Sequence, residues 1–235
     1  MIRTASILVI SAFLLSANAC DRPSLNPTGN TQKEASVRVI DLNGVRVTVD
    51  PKAKYLFYLH GRIIEDKGIR PTDGRFGVYE YEEILQTFRD RGFIVLSDAR
   101  PKDSDVDYFA MKVVVEIQRL VNAGALARNM TVVGASKGAV IAMRVSTFLK
   151  DKNVNFVLLS NCNEWVDENF DIRLYGNVLS IYDINDDIGE SCQRFFDKAN
   201  GLNRHKEIVL QLGTGHAILY KPLNEWVDPV VEWAQ

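Results

Sequence analysis

Three cysteines in 235 residues are too few for a disulfide-held scaffold. No C-x-x-C or H-x-x-x-H spacing offers a zinc site. Neither sign of charge dominates: 28 Lys and Arg against 30 Asp and Glu leave a formal charge of −2. That balance gives no basic footprint for nucleic acid and no acidic block for a solvating tail. There is no internal repeat, and no apolar run is long enough to span a bilayer as a mature helix. What is present is ordinary for a globular chain, 46% hydrophobic and 25% charged. A single domain of this length buries a large core without metal or disulfide staples.

Residues 1–19 read MIRTASILVISAFLLSANA. Arg3 is a short positive region, Ile7 to Leu15 a short apolar stretch, and Ala17-Asn18-Ala19 a small-x-small cleavage signature. Together they predict a secretory signal peptide, excluded from fold reasoning. Cys20 follows at once, and Leu15 to Cys20 resembles a bacterial lipoprotein cleavage site, with Ala17 where those sites usually carry leucine. The resemblance implies a lipid on Cys20 and a membrane anchor. Parity agrees with it: one odd thiol at Cys20 leaves Cys162 and Cys192 as a pair. Residues 20–35 are then the lipidated cysteine and a polar, Pro- and Asn-containing tether. Residues 36–235 are the folded domain, exported and held at the bacterial cell envelope or in the periplasm.

Ser36–Leu42 and Val45–Val49 alternate around Asn43-Gly44, the signature of an antiparallel hairpin. The rhythm then changes. Continuous apolar runs at 55–59, 93–96, 131–133, 156–159, 178–181 and 208–212 suit strands buried on both faces. Helical stretches at 78–91, 105–123, 137–150, 188–199 and 222–234 separate or follow them. The pattern predicts an α/β domain, a mostly parallel doubly wound sheet of about eight strands counting the hairpin.

Gly134-Ala135-Ser136-Lys137-Gly138 lies between a strand and a helix. That context fits a nucleophile elbow: a sharp turn exposes the serine hydroxyl, and Gly134 and Gly138 avoid collisions. A phosphate loop is excluded, because no Gly-Lys-Ser/Thr follows at the required spacing. An activated serine needs a base, and only three histidines exist. His205 lies in a polar stretch before a strand, and His60 ends the first buried strand. His216 follows the last strand in a tight loop, where catalytic groups of open α/β sheets gather, so it is the expected base. The orienting acid is expected after the 178–181 strand, at Asp186, with Asp183 the next choice. One oxyanion donor is expected from the Lys137 amide and the other from Arg62 or Gly61, with His60 a structural tie.

His60-Gly61, the Gly134–Gly138 motif, Asp186 and His216, each after a strand and in that order, resemble the α/β-hydrolase superfamily. The nearest type is the short bacterial serine hydrolases and esterases. The 182–186 stretch is similar to that family's histidine-glycine-x-x-acid segment, which supports Asp186. The resemblance covers about residues 36–235 and implies an α/β-hydrolase fold. It also implies acyl transfer from a small-molecule substrate, a carboxylic ester in the first instance, with no cofactor or metal. A peptidase or thioesterase shares every residue named, and a non-catalytic envelope lipoprotein that binds a ligand is the rival class. The interval between Asn161 and Leu179 leaves no room for a large lid. If the two preceding strands are neighbours, Cys162 and Cys192 meet at one sheet end and bond. Trp165, Trp226 and Trp233 read as packing groups. Glu65, Arg70, Glu80, Arg100 and Lys102 read as solvated loop charges, with lining the pocket as their alternative.

Overall fold

The computed structural model describes residues 38–42 and 44–235. The signal peptide, Cys20, the tether and Asn43 lie outside the described residues. The strands are β1 (Arg38–Leu42), β2 (Val45–Val49), β3 (Lys54–Leu59), β4 (Thr72–Asp73), β5 (Gly77–Val78), β6 (Phe93–Leu96), β7 (Met130–Ala135), β8 (Asn155–Leu159), β9 (Tyr175–Asp183) and β10 (Gly201–Leu210). The helices are α1 (Arg62–Lys67), α2 (Tyr81–Asp90), α3 (Val106–Asn122), α4 (Lys137–Leu149), α5 (Glu164–Asn169), α6 (Gln193–Lys198) and α7 (Asn224–Trp233).

Six strands form one parallel sheet in the order β10-β9-β8-β7-β3-β6. Its central strands are mostly apolar and almost wholly buried because both faces are covered. Along β3, Tyr55, Phe57 and Leu59 join the core under α3 and α4, while Leu56 and Tyr58 join the core under α2 and α7. That is the period-two alternation of a strand serving two cores. Helix α4 is buried almost all round. The hairpin β1–β2 is a two-stranded sheet of its own rather than an edge of the parallel one, with Gly44 at φ +86° in its turn.

Three local differences have physical causes. Strand β10 starts at Gly201, well before the apolar run, because parallel pairing with β9 recruits the polar, mostly exposed stretch Arg204–Glu207. The helix expected over 188–199 shrinks to Gln193–Lys198: the amides of Ile188 and Gly189 bond the Asp186 carboxylate instead of starting a helix. The ribbon β4–β5 and the short helices α1 and α5 have no periodic signature and fill loops that read as irregular.

The chain leaves β3 for β6 on one side and then runs β7 to β10 on the other. The topological switch point therefore lies between β3 and β7, where open α/β sheets bind ligands at the strands' carboxyl ends. The two segments meet closely there. A Cβ on Gly138 would overlap the backbone carbonyls of Leu59 and His60, and one on Gly134 would overlap the Gly138 carbonyl. Backbone cannot swing aside as a side chain can. Gly138→Ala should therefore cost more than ordinary overpacking, about 4 kcal/mol or above. Gly74→Ala, exposed with open space around it, should be near neutral. Thermal unfolding of both variants checks this; comparable melting points would refute it.

Candidate active site

Ser136 ends the β7 turn as the residue before α4, with φ +53° and ψ −119°. Its Oγ is 3.1 Å from His216 Nε2. On the other side of the imidazole, Nδ1 is 3.0 and 3.1 Å from the two Asp186 carboxylate oxygens. The structure thus brings together the serine, the histidine and the first-choice acid. His216 stands in the 3₁₀ turn Gly215–Tyr220 after β10, with the Phe76 ring 5.9 Å from its own. Asp186 Oδ1 also accepts from the Ile188 and Gly189 amides at 2.9 Å each. Burial pushes the Asp186 carboxyl up, but the bonds from His216 and these amides outweigh it and hold the group below its ordinary value.

Asp183 does something else. It is fully buried at the end of β9 and accepts from the Asn185 and Leu212 amides at 2.9 and 2.8 Å, tying the ends of β9 and β10 together.

Lys137 and Arg62 are the first residues of α4 and α1, so their amides lack intrahelical acceptors. Gly61 caps α1 and lies against the serine: a Cβ there would stand 3.6 Å from Ser136 Cβ. His60 is buried, with Nδ1 2.8 Å from the Gly61 carbonyl oxygen and Nε2 accepting from the Arg100 amide at 2.9 Å. Burial and the Arg100 guanidinium push it down to about 4. An unfolded chain takes up this proton near pH 6.5, the folded one only near pH 4. Between those values the unfolded state binds more protons, so stability falls as the pH drops. From pH 6.5 to pH 5 the loss should be roughly 1.5 kcal/mol. Urea unfolding across that window should show a smaller loss in His60→Gln; identical pH slopes would refute the assignment.

Several contacts had no local signal in the sequence. Asn161 donates from Nδ2 to the Ser136 carbonyl at 2.5 Å. Arg75, on the β4–β5 turn, pairs with Asp187 beside the acid loop at 2.8 Å. Glu65 and Arg100 are neither solvated nor at the surface; both are buried and paired to each other at 2.9 Å. Arg70, Glu80 and Lys102 stay outside the cleft, Arg70 paired with Glu83 and Glu80 with Lys221. His205 is exposed on β10 against Phe196. Cys162 and Cys192 are joined by a disulfide, Cα–Cα 5.0 Å.

Beside Ser136 opens a cleft of about 580 Å³. Its apolar lining is Val106, Val140, Trp165, Val166, Phe170 and Ile188, and its polar lining includes Arg62, Asp103 and Asp105. Trp165 corrects the packing expectation. It is 58% exposed, edge-on to Phe170, on the cleft wall, whereas Trp226 is buried. Four residues other than glycine with positive φ occur at this end of the sheet or on the cleft: Asp103, Ser136, Ser160 and Cys162.

No protein-family profile matches the chain, and no curated protein is similar to it in sequence. Solved structures are similar in fold. A hyperthermophilic esterase from the archaeon Pyrobaculum calidifontis superposes with a TM-score of 0.53 at 15% identity, over 84% of this chain and 83% of that one. MGS-M1, an α/β-hydrolase enzyme from a Medee basin deep-sea metagenome library, gives 0.52 at 15% identity, over 84% and 96%. Est1E from Butyrivibrio proteoclasticus gives 0.51 at 12% identity, over 84% and 96%. Parallel sheet, flanking helices and these neighbours agree: the chain has the α/β-hydrolase fold.

Proposed function

We propose that this protein is a serine hydrolase that cleaves a small carboxylic ester through an acyl-enzyme. The observation that carries the reading is the continuous chain of hydrogen-bond distances from Ser136 Oγ through His216 to Asp186, opening on a cleft. Fold alone does not set function. The neighbours that are esterases raise the prior for an ester, and the mixed lining of the cleft suits an uncharged one with an apolar arm.

In this mechanism Ser136 Oγ bonds to the carbonyl carbon as His216 Nε2 takes its proton. Asp186 keeps the Nδ1 proton directed at itself and stabilises the imidazolium. The carbonyl oxygen becomes an oxyanion, bound by the Lys137 amide and the Gly61 or Arg62 amide. His216 then protonates the departing alcohol, leaving Ser136 acylated. Water repeats the sequence and releases the acid. We place the enzyme in an oxidising envelope compartment, held to a membrane through a lipid on Cys20. The Cys162–Cys192 disulfide supports that placement, since such bonds persist in exported proteins.

Fluorophosphonate labelling of wild type and Ser136→Ala tests the hydrolase. Labelling confined to the wild type is the expected result. A folded wild type that takes no label would overturn the reading in favour of a binding protein.

A further inference from the structure

The elbow and the loop facing it are joined by a buried ionic cluster that the reaction itself does not use. Glu65, on α1, has a fully buried side chain. Its Oε1 accepts from Arg100 Nε at 2.9 Å and Ser104 Oγ at 2.7 Å, and its Oε2 from Lys137 Nζ at 2.6 Å. Lys137 Nζ also donates to the Ser104 carbonyl at 2.7 Å. Arg100 in turn donates from its guanidinium to the His60 carbonyl and from its amide to the His60 ring. One carboxylate therefore links Lys137, the residue after the serine, to α1 and to the His60–Gly61 turn.

Resting on the hydrolase reading, we propose that Glu65 is a positioning residue: it sets the separation between the Lys137 amide and the Gly61–Arg62 amides. The two donors belong to different segments, α4 and α1, separated by more than seventy residues of chain. Hydrogen bonds to a developing oxyanion need both donors at about 3 Å, so the segments' spacing has to be held to a fraction of an ångström. Gly138 allows close approach, and the Lys137–Glu65–Arg100 cluster resists sliding. Burial pushes the Glu65 carboxyl up, but the bonds from Lys137 and Ser104 and the Arg100 charge outweigh it. The group is therefore ionised and balances two cations.

Lys137→Met breaks the link from its partly exposed end and leaves Glu65 paired with Arg100 and Ser104, so folding should survive. Kinetics on p-nitrophenyl butyrate are normalised to active sites counted by fluorophosphonate. Expected are a fall in kcat of about 10- to 100-fold with KM within about twofold. The affinity for a trifluoromethyl ketone, whose serine adduct carries the oxyanion, should weaken in parallel, with product inhibition by butyrate unchanged. Lys137→Arg should recover most of the loss, and Glu65→Gln should reproduce it if it folds. A folded, labelled Lys137→Met with wild-type kcat and ketone affinity overturns the inference while leaving the hydrolase intact. Equal weakening of ketone and butyrate binding also overturns it. A wild type that takes no label overturns both.

Discussion

Ser136→Ala should lower kcat on a short p-nitrophenyl ester by about 10⁴- to 10⁶-fold, with the protein still folded. On the proposed mechanism the hydroxyl is the attacking group, and among the described residues no neighbour in hydrogen-bond contact replaces it. The residual rate over water should come from the oxyanion donors and the cleft. Stability should change little: among the described residues Ser136 Oγ makes one hydrogen bond, to His216 at 3.1 Å, and alanine keeps the same Cβ on the same backbone. His216→Ala should be about as damaging, and the double variant scarcely worse, because the two act as a unit. A purified Ser136→Ala retaining more than about 1% of turnover would contradict the assignment.

The second large effect separates two aspartates three residues apart. Asp186→Asn should reduce kcat by about 10³- to 10⁴-fold, because an amide cannot both fix the His216 tautomer and offset the imidazolium charge. Asp183→Asn should leave turnover per active site within a few-fold. It should instead destabilise the fold by about 1–3 kcal/mol, since the buried carboxylate ties the Asn185 and Leu212 amides at the ends of β9 and β10. Active-site titration with melting curves distinguishes the two. The reverse pattern would move the acid role to Asp183.

Those two residues also show where sequence reading reached its limit. Both follow a buried strand, and what separates them is which amides and which imidazole face each carboxylate, a matter of loop path. The six parallel strands were legible because strands buried on both faces are continuously apolar, except on the edge, where β10 carries Arg204, His205, Lys206 and Glu207. The elbow was legible because strand, glycines and helix are contiguous. The Glu65–Lys137 pair was not: its partners lie far apart in the chain, and Glu65 sits on a helix of six residues with no periodicity to announce it. Trp165 reads as core by residue type, but it stands on the short helix α5 and is exposed on the cleft.

The elbow has an evolutionary consequence. Holding Ser136 at φ +53° works against stability by an amount on the order of 1–3 kcal/mol, and glycine would relieve it. A lineage under selection for solubility or binding alone would gain by discarding the serine. Descendants released from chemistry should therefore drift first at position 136, becoming sturdier as they fall silent. On the proposed mechanism, serine in so disfavoured a conformation trades stability for turnover.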